Sequence, residues 1–341
     1  MKAIQLLELH QPVQWVDVDT PKPGNDEVIV QIRAAALNHR DVFIQQGLYP
    51  GIALPVTLGS DGAGVVTEVG EGVDSSWIGR EVVINCAHNW GDNPDYYSLF
   101  FKILGMPDAG TFAEYVRVKA KYLHLKPAHL TFEQAAAIPL AGLTAWRALV
   151  TRSRFQAHRT DQPNRVLITG IGGGVALFAL QFAVAGGAEV WVTSGSDEKI
   201  QKAIELGAKG GVNYKNPDWS KNLMAETGGG KIGYFNIIID GAGGPGFARL
   251  IDAAAPGAYI TIYGGTTGKI ADVVPAKIFF KQVNIQGTTM GTEREFADML
   301  DFISRNNLLP IVDQILSMAD VEQALRRMEA GKQFGKLVLK A

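Results

Sequence analysis

From residue 165 onward the chain alternates short β-branched runs with stretches of helical periodicity, and this alternation constrains the fold more than any other feature. The predicted strands cover residues 165–169, 189–193, 235–240, 258–263 and 283–288. The helical patterns between them begin near residues 175, 197, 218 and 245. Strands that alternate with helices pair in parallel, and the helices then cover both faces of the sheet. The sequence therefore predicts an α/β fold with a doubly wound parallel sheet.

The first of these strands leads directly into a cluster of glycines. Residues 166–176 read Val-Leu-Ile-Thr-Gly-Ile-Gly-Gly-Gly-Val-Ala, and a helical pattern follows. Glycines there can adopt backbone angles forbidden to other residues, and they leave no side chain between the backbone and a ligand. A helix N-terminus reached through such a turn can hold a pyrophosphate. We predict dinucleotide binding here, with a ligand-free tight turn as the alternative; the candidate residues are Gly170, Gly172, Gly173, Gly174 and Val175.

Composition excludes several classes of partner. The chain has 341 residues, enough for about two domains, and 47% of them are hydrophobic. A net charge of −2 and the lack of a basic block argue against nucleic-acid binding. No apolar run approaches the roughly 20 residues that span a bilayer, and no signal peptide is recognisable. We expect a cytoplasmic protein without a membrane partner.

Cysteine usage argues against a metal site. Cys86 is the single cysteine, so an intrachain disulfide and a cysteine-clustered zinc site are both excluded. No pair of histidines has convincing helical spacing. We predict no metal site, and we interpret Cys86 as a small core residue rather than a nucleophile.

Outside the alternating region the patterns are mixed. Residues 1 to about 125 read as short strands between turns, interrupted at 88–108 by a polar and aromatic stretch that predicts a long surface loop. Thr131 and Gln134 form a candidate capping box for a helix. Further helices are predicted near 142, over 293–306 and near 320–330, with a closing strand over 335–340.

The end of the second strand indicates which nicotinamide cofactor is bound. NAD-dependent enzymes usually place an acidic residue there, on the ribose 2′-hydroxyl. This chain instead has small hydroxyl residues, which leave room for a 2′-phosphate, and a lysine one helical turn later. Asp197 is interpreted as the first-turn acid of the next helix. We therefore predict NADP(H), bound through Ser194, Gly195, Ser196, Lys199 and Tyr214.

Three later strands also end in residues suited to a bound nucleotide. Gly241 follows the predicted strand 235–240, Gly264 and Gly265 follow the strand 258–263, and Thr288 ends the strand 283–288. Because the carboxyl ends of parallel strands share one edge of the sheet, we predict that these residues contact the cofactor as well.

Several motifs together resemble those of the medium-chain dehydrogenase/reductase superfamily, and most closely its zinc-free quinone oxidoreductase branch. The resemblance covers the whole chain and is carried by the glycine turn together with Asn38-His-Arg-Asp41, Gly47-Leu-Tyr-Pro50, Leu58-Gly-Ser-Asp-Gly-Ala-Gly-Val-Val66 and Leu143-Thr-Ala-Trp-Arg-Ala-Leu149. It implies a GroES-like β-barrel catalytic domain formed by residues 1–125 and 290–341. A Rossmann NADP-binding domain of residues 126–289 is inserted in it, with ligands held between the two.

The resemblance also implies an assembly, because the family pairs its sixth strand across a dimer axis. Val283 to Gly287 are therefore the candidate dimer edge, and we expect a homodimer or a homotetramer.

Departures from the zinc-dependent members of the superfamily are informative. Those enzymes carry a catalytic cysteine just after the strand at 28–36, where this chain reads Ala34-Ala-Ala-Leu-Asn38. Their Gly-His-Glu motif is replaced by Gly59-Ser-Asp61. Of the four cysteines of their structural zinc loop, the segment around 86–105 retains only Cys86.

Without a metal, alcohol oxidation lacks a means of lowering the hydroxyl pKa. The resemblance therefore implies NADPH-dependent hydride transfer to a small-molecule quinone or α,β-unsaturated carbonyl. Asn38 could donate to the acceptor oxygen, Tyr49 could donate a hydrogen bond or proton, and Thr144 would lie under the nicotinamide ribose.

Each candidate also has a structural interpretation. Asn38 could brace a turn, Tyr49 could be a packed loop aromatic, and Thr144 could cap its own helix. Asp41 matches the family motif but could only brace the loop. Phe43 stands where related quinone reductases often have tyrosine. The alternatives to a reductase are a non-catalytic NADPH-binding structural or regulatory protein and, less favoured by the ligand set, an alcohol dehydrogenase.

Overall fold

The computed structural model describes residues 1–341 and contains eighteen strands and ten α-helices. In chain order to residue 152 these are β1 Lys2–Leu6, β2 Gln14–Asp17, β3 Glu27–Ala36, α1 His39–Gln45, β4 Val56–Thr57, β5 Asp61–Val69, β6 Glu81–Ile84, β7 Ala87–His88, β8 Lys102–Ile103, β9 Tyr115–Lys119, β10 Leu123–Leu125, α2 Phe132–Ala136 and α3 Pro139–Trp146, continued as a π-helix over Arg147–Arg152. The rest are β11 Arg165–Ile168, α4 Gly174–Ala185, β12 Glu189–Ser194, α5 Asp197–Glu205, β13 Gly210–Asn213, α6 Trp219–Thr227, β14 Phe235–Asp240, α7 Phe247–Ala253, β15 Ala254–Ile262, α8 Pro275–Lys281, β16 Asn284–Gly287, α9 Glu293–Arg305, β17 Val312–Ser317, α10 Val321–Glu329 and β18 Lys336–Lys340. None of these helices is both long and apolar enough to cross a membrane.

Two compact units divide the chain. The first comprises Met1–Leu143 and Gly291–Ala341, and the second comprises Thr144–Met290. The sequence-based boundaries lie after residues 125 and 289, so the structure differs by grouping 126–143 with the first unit. The cause is tertiary packing, because α2 lies against β3 and β5 of the first unit.

The second unit is built on a six-stranded sheet in the order β13-β12-β11-β14-β15-β16, with every pair parallel. This confirms the predicted α/β doubly wound architecture. Val166 of β11 is paired with Val190 of β12 on one side and Ile237 of β14 on the other. The carboxyl ends of β11, β12, β14 and β15 therefore lie along one edge, where the four loops that follow them can meet a common ligand. Helix α8 lies where the sequence patterns predict no helix.

Apolar side chains cover both faces of this sheet. Helix α4 carries no charged residue, and its residues from Ala176 to Leu180 are buried. A helix that is apolar on all sides must be enclosed, and the Trp146 ring meets Phe182 edge-on at 5.5 Å between centroids. A second cluster of buried residues includes Trp191, Trp219, Phe235 and Phe247.

The first unit is rich in antiparallel strands. The ten-residue strand β3 pairs with β5 along its length, with β9 near its start and with β18 near its end. The last strand of the chain thus joins the N-terminal sheet, with Val338 opposite Ala36. The N-terminal region and the C-terminal tail thus belong to one compact unit.

Local signals account for several helix starts. Thr131 Oγ1 accepts from Gln134 N at 3.2 Å, and Gln134 Oε1 accepts from Thr131 N at 3.0 Å, so the predicted capping box is confirmed. Thr292 and Glu295 form the same reciprocal pair at the start of α9. Most of the predicted loop over 88–108 is irregular, and it is closed by the pairing of the two-residue strands β7 and β8, in which His88 lies opposite Lys102.

Candidate active site

The glycine turn after β11 leaves open space in front of a helix N-terminus. Gly170 and Gly172 have φ of +65° and +120°, values that favour glycine. Gly173 is the N-cap of α4, with φ −78° and no side chain to cap the helix. A Cβ atom built on Gly173 would meet no protein atom within 4 Å. The first N–H groups of α4 therefore face a space in which an anion could sit close to the backbone, with Gly174 and Val175 as the first two helical residues.

Two lysines and a tyrosine lie around the end of β12. A Cβ built on Gly172 would lie 3.3 Å from Lys199 Nζ, so this ammonium group reaches the glycine turn. A Cβ on Gly195 would lie 2.8 Å from the Tyr214 hydroxyl and 3.2 Å from Lys215 Cε. The structure thus brings together side chains that the sequence predicted, and it adds Lys215, which the sequence analysis missed although it directly follows Tyr214.

The carboxylate of Asp197 is held by a neighbouring amide. Its Oδ1 accepts from Asn213 Nδ2 at 2.9 Å, and Asp197 is the first residue of α5. Ser196 is the N-cap, and its Oγ accepts from Lys199 N at 3.4 Å. Ser194 is buried, and its Oγ accepts from Ser196 N at 3.2 Å, which leaves the Ser194 hydroxyl proton available to donate.

The loops after β14 and β15 are tied to the sheet and to each other. The buried carboxylate of Asp240 accepts from Thr169 Oγ1 at 2.6 Å and from Gly243 N at 3.0 Å. A Cβ on Gly241 would lie 2.3 Å from the Tyr263 hydroxyl, so packing alone requires glycine there. A Cβ on Gly264 would be 3.0 Å from Gly241 O.

Gly265 is less confined than its neighbour. A Cβ built on this residue would meet only Gly268 O, at 3.9 Å. The loop that follows β15 is held by Thr267 N, which donates to Ala242 O at 2.9 Å. The loops that follow β14 and β15 are therefore joined to each other beside β11, the strand that leads into the glycine turn.

The residue that directly follows β16, Thr288, has a buried hydroxyl without a hydrogen-bond partner. Thr288 N donates to Ile262 O at 2.9 Å, but Thr288 Oγ1 is buried and forms no hydrogen bond. Buried polar groups are nearly always paired, so this hydroxyl fits an additional partner. Thr144 is buried in the same unit, and its hydroxyl contacts Met290 Sδ, two residues after Thr288, at 3.8 Å.

A buried network in the first unit surrounds Asn38. Lys336 Nζ donates to Asn38 Oδ1 at 2.7 Å and to Asp61 Oδ2 at 2.9 Å. Asn38 Nδ2 donates to the same Asp61 oxygen at 2.9 Å. The Asp61 side chain is completely buried and that of Lys336 is 4% exposed. The sequence predicts no role for Lys336, whose only signal is a lone charge before the apolar stretch Leu337-Val-Leu339.

The neighbouring candidates are held by different contacts. Arg40 Nη1 donates to Ser60 Oγ at 2.6 Å and to Leu104 O at 2.8 Å. The Arg40 guanidinium carbon lies 4.9 Å from the centroid of the partly exposed Tyr49 ring, a cation–π contact that helps to hold the ring. Asp41 Oδ2 accepts from Asn38 N at 2.8 Å and so supports the start of α1.

Burial dominates the ionisation of Asp41. It raises the pKa of this carboxyl to about 6, against the opposing effects of the Arg40 charge and the hydrogen bond from Asn38 N. The folded state therefore binds the Asp41 proton more tightly than the unfolded chain does. Its contribution to stability is fully present below about pH 4 and is lost as the pH rises through about 6.

We expect Asp41→Asn to remove this pH dependence. An asparagine oxygen can still accept from Asn38 N, but it carries no charge to bury. The variant should match the wild type near pH 4 and have a free energy of unfolding up to about 3 kcal/mol higher above pH 7. Urea unfolding across this range, with the exposed-loop variant Asp92→Asn as control, measures the difference. A difference that does not vary with pH would contradict this account.

The donor set in this region does not fit a zinc ion. No three His, Cys, Asp or Glu side chains are grouped so that they could hold a metal. Asp61 is engaged by an ammonium group, and the buried Cys86 thiol, whose pKa is raised by burial and by the Asp61 charge, lies 3.7 Å from Asp61 Oδ1. His88 stacks on Tyr122 at 3.9 Å between ring centroids.

Comparisons with known proteins agree with this architecture. Residues 24–128 match the family model of the alcohol dehydrogenase GroES-like domain, and residues 174–305 match that of the zinc-binding dehydrogenases. The chain is 39% identical to a zinc-type alcohol dehydrogenase-like protein, YogA, of Leptosphaeria maculans, over 97% of this chain and 95% of that protein. It is 30% identical to quinone oxidoreductase 1 of Escherichia coli, over 78% and 72% of the two chains. The crystal structure of an NAD-dependent alcohol dehydrogenase, 36% identical, covers both chains completely with a TM-score of 0.92.

Proposed function

Because this chain belongs to the medium-chain dehydrogenase/reductase superfamily and is an oxidoreductase, we propose that it transfers hydride from NADPH to a quinone or an α,β-unsaturated carbonyl compound without a metal. The observation that carries this proposal is the buried Asn38–Asp61–Lys336 network. By the resemblance, Asn38 and Asp61 lie in the segments where the zinc-dependent members carry their catalytic cysteine and their Gly-His-Glu motif.

The cofactor would be held by the carboxyl ends of the parallel strands. The pyrophosphate fits the open space before α4, where Gly173 presents backbone without a side chain. The unpaired hydroxyl of Thr288 suits the nicotinamide end. The cofactor supplies the hydride, while the residues of the chain hold and orient it.

The preference for NADPH follows from the charges beside Gly195. The hydroxyl of Ser194 and the side chains of Lys199 and Tyr214 can meet a 2′-phosphate, and Lys215 adds a second positive charge. The carboxylate of Asp197, at the start of α5, is engaged by Asn213. One similar solved structure is that of an enzyme named as NAD-dependent. The proposed preference for NADPH therefore rests on the side chains of this chain and not on the comparison.

The substrate end of the site would be formed by Asn38 and Tyr49. An N–H of the Asn38 amide can donate to the substrate carbonyl oxygen and stabilise the enolate that develops there. The Tyr49 phenol can donate the hydrogen bond or the proton that completes the reduction. Asp41 holds the backbone of Asn38 and so keeps the amide at the start of α1.

A homodimer or homotetramer belongs to the same proposal. Strand β16 pairs only with β15, and its other edge is open. Ile285 in this strand and Phe280 in the preceding helix are exposed. An open strand edge next to apolar side chains suits pairing with a second copy.

The proposal predicts NADPH oxidation by protein that has been treated exhaustively with a chelator. A small quinone and a small enone should both be tried as acceptors, and the consumption of NADPH is followed by its absorbance. Turnover that is lost on chelation and restored by zinc would refute the metal-free mechanism. NADPH binding without turnover across a broad acceptor panel would favour the non-catalytic alternative.

A further inference from the structure

The ammonium group of Lys336 has no hydrogen left for a substrate. Its three hydrogens are matched by three acceptors: Leu37 O at 2.7 Å, Asn38 Oδ1 at 2.7 Å and Asp61 Oδ2 at 2.9 Å. Lys336 is buried and lies on β18, at the far end of the chain from Asn38. A saturated, buried ammonium can act on the reaction only through the groups it holds.

These contacts determine which way the Asn38 amide faces. An ammonium group can only donate, so the atom that meets Lys336 must be the amide oxygen. An ionised carboxylate can only accept, so the atom that meets Asp61 must be the amide nitrogen. The two ends of Asn38 are therefore distinguished by chemistry, whereas an asparagine between neutral partners could adopt either orientation.

We propose that Lys336 and Asp61 are positioning residues that lock the Asn38 amide with its oxygen toward Lys336 and its nitrogen toward Asp61, so that the second N–H of that nitrogen is held for a ligand. The inference rests on the proposed function, in which Asn38 contacts the acceptor. It deepens that function, because an N–H held in this orientation selects a substrate group that accepts, namely a carbonyl or quinone oxygen on which negative charge develops.

The other polar groups around the Asn38–Asp61–Lys336 network do not compete for the Asn38 amide. Asp61 Oδ1 accepts from Leu140 N at 2.8 Å, so the carboxylate is also held from the helix side. The Cys86 thiol meets the same oxygen at 3.7 Å. His39, Arg40 and Asp41 lie on the segment that follows Asn38, and the Arg40 guanidinium is committed to Ser60 and Leu104.

The deciding variant is the double substitution Lys336→Met with Asp61→Asn. The amide introduced at position 61 can still accept from Leu140 N with its oxygen, which places its nitrogen where Asp61 Oδ2 was. Two nitrogen donors would then face each other unless Asn38 turns over, and the thioether introduced at position 336 no longer opposes that turn. The double variant removes the buried charges together, so it should fold, while the Asn38 amide becomes inverted.

We expect this double variant to melt near the wild-type temperature and to bind NADPH with unchanged Kd. Its kcat should fall on the order of 100-fold, the usual cost of losing one donor to a developing oxyanion. Lys336→Met alone should melt at a lower temperature but lose less kcat than the double variant, because the Asp61 carboxylate still meets the amide nitrogen of Asn38. Lys336→Arg keeps a positive charge that can only donate and should keep most of the kcat, and Lys340→Met, an exposed lysine of the same strand, is the matched control.

Three results would overturn the inference. Wild-type kcat in the double variant would refute it while leaving the proposed function in place. A double variant that loses melting temperature together with turnover would assign the network to folding alone. Wild-type protein that turns over no quinone or enone would refute the proposed function, and the inference with it.

Discussion

Lys199→Glu should raise the Kd for NADPH on the order of 100- to 1,000-fold and leave the Kd for NADH within a few-fold of the wild type. Lys199 Nζ reaches the glycine turn, and Tyr214 and Lys215 lie beside Gly195. The variant loses a charge-assisted hydrogen bond to the 2′-phosphate and places a negative charge next to it. NADH has no 2′-phosphate, so neither effect applies to it.

Lys202→Glu is the matched control for this substitution. Lys202 lies on the same helix and pairs with Glu198 at an exposed position, so its reversal changes the net charge by the same amount. Fluorescence titration of both nucleotides against both variants measures the four constants. If Lys199→Glu weakened NADPH and NADH equally, the lysine would serve the turn as a whole, and the assignment of the 2′-phosphate pocket would be wrong.

Gly173→Val should abolish high-affinity binding of both nucleotides while the protein remains folded. The backbone of Gly173, at φ −78° and ψ 154°, is extended, a conformation that valine favours, and a Cβ there meets no protein atom within 4 Å. The added side chain would occupy the space proposed for the pyrophosphate. We expect Kd to rise about 100-fold, equivalent to about 3 kcal/mol, for NADPH and NADH alike.

The control for this variant is Gly246→Val. Gly246 is the N-cap of α7 in the same unit, and a Cβ there also meets nothing within 4 Å. Calorimetric titration and thermal unfolding of the two variants separate binding from stability. Normal nucleotide affinity in Gly173→Val would show that the pyrophosphate lies elsewhere, whereas a large loss of stability would show that the turn has a folding role.

Much of the fold could be predicted from local patterns in the sequence. The alternation after residue 165 predicted the parallel sheet because each strand and helix is recognisable from its own hydrophobic period. The capping box of Thr131 and Gln134 needs only residues three apart, and it is present. The boundary at residue 143 could not be read in this way, because it depends on where α2 packs and not on what α2 is.

In the candidate site, too, some residues could be predicted from local patterns and others depend on tertiary contacts. The glycine turn and Lys199 could be predicted from sequence because their elements follow one another along the chain. The turn follows β11, and Lys199 lies on α5, the helix that follows the next strand β12. Lys215 was missed because nothing in its local pattern distinguishes it from a solvated lysine. Its nearness to Gly195 is a contact between the ends of two strands.

By itself, the sequence determined the class of fold and the glycine turn, since each depends on residue type at short spacing. Only the tertiary structure decided that Asn38, Asp61 and Lys336 form one buried network, in which Lys336 lies 275 residues from Asp61. The physical reason is that a buried lysine is tolerated only with partners for its charge, and which carboxylate and which amide supply them depends on how distant strands pair.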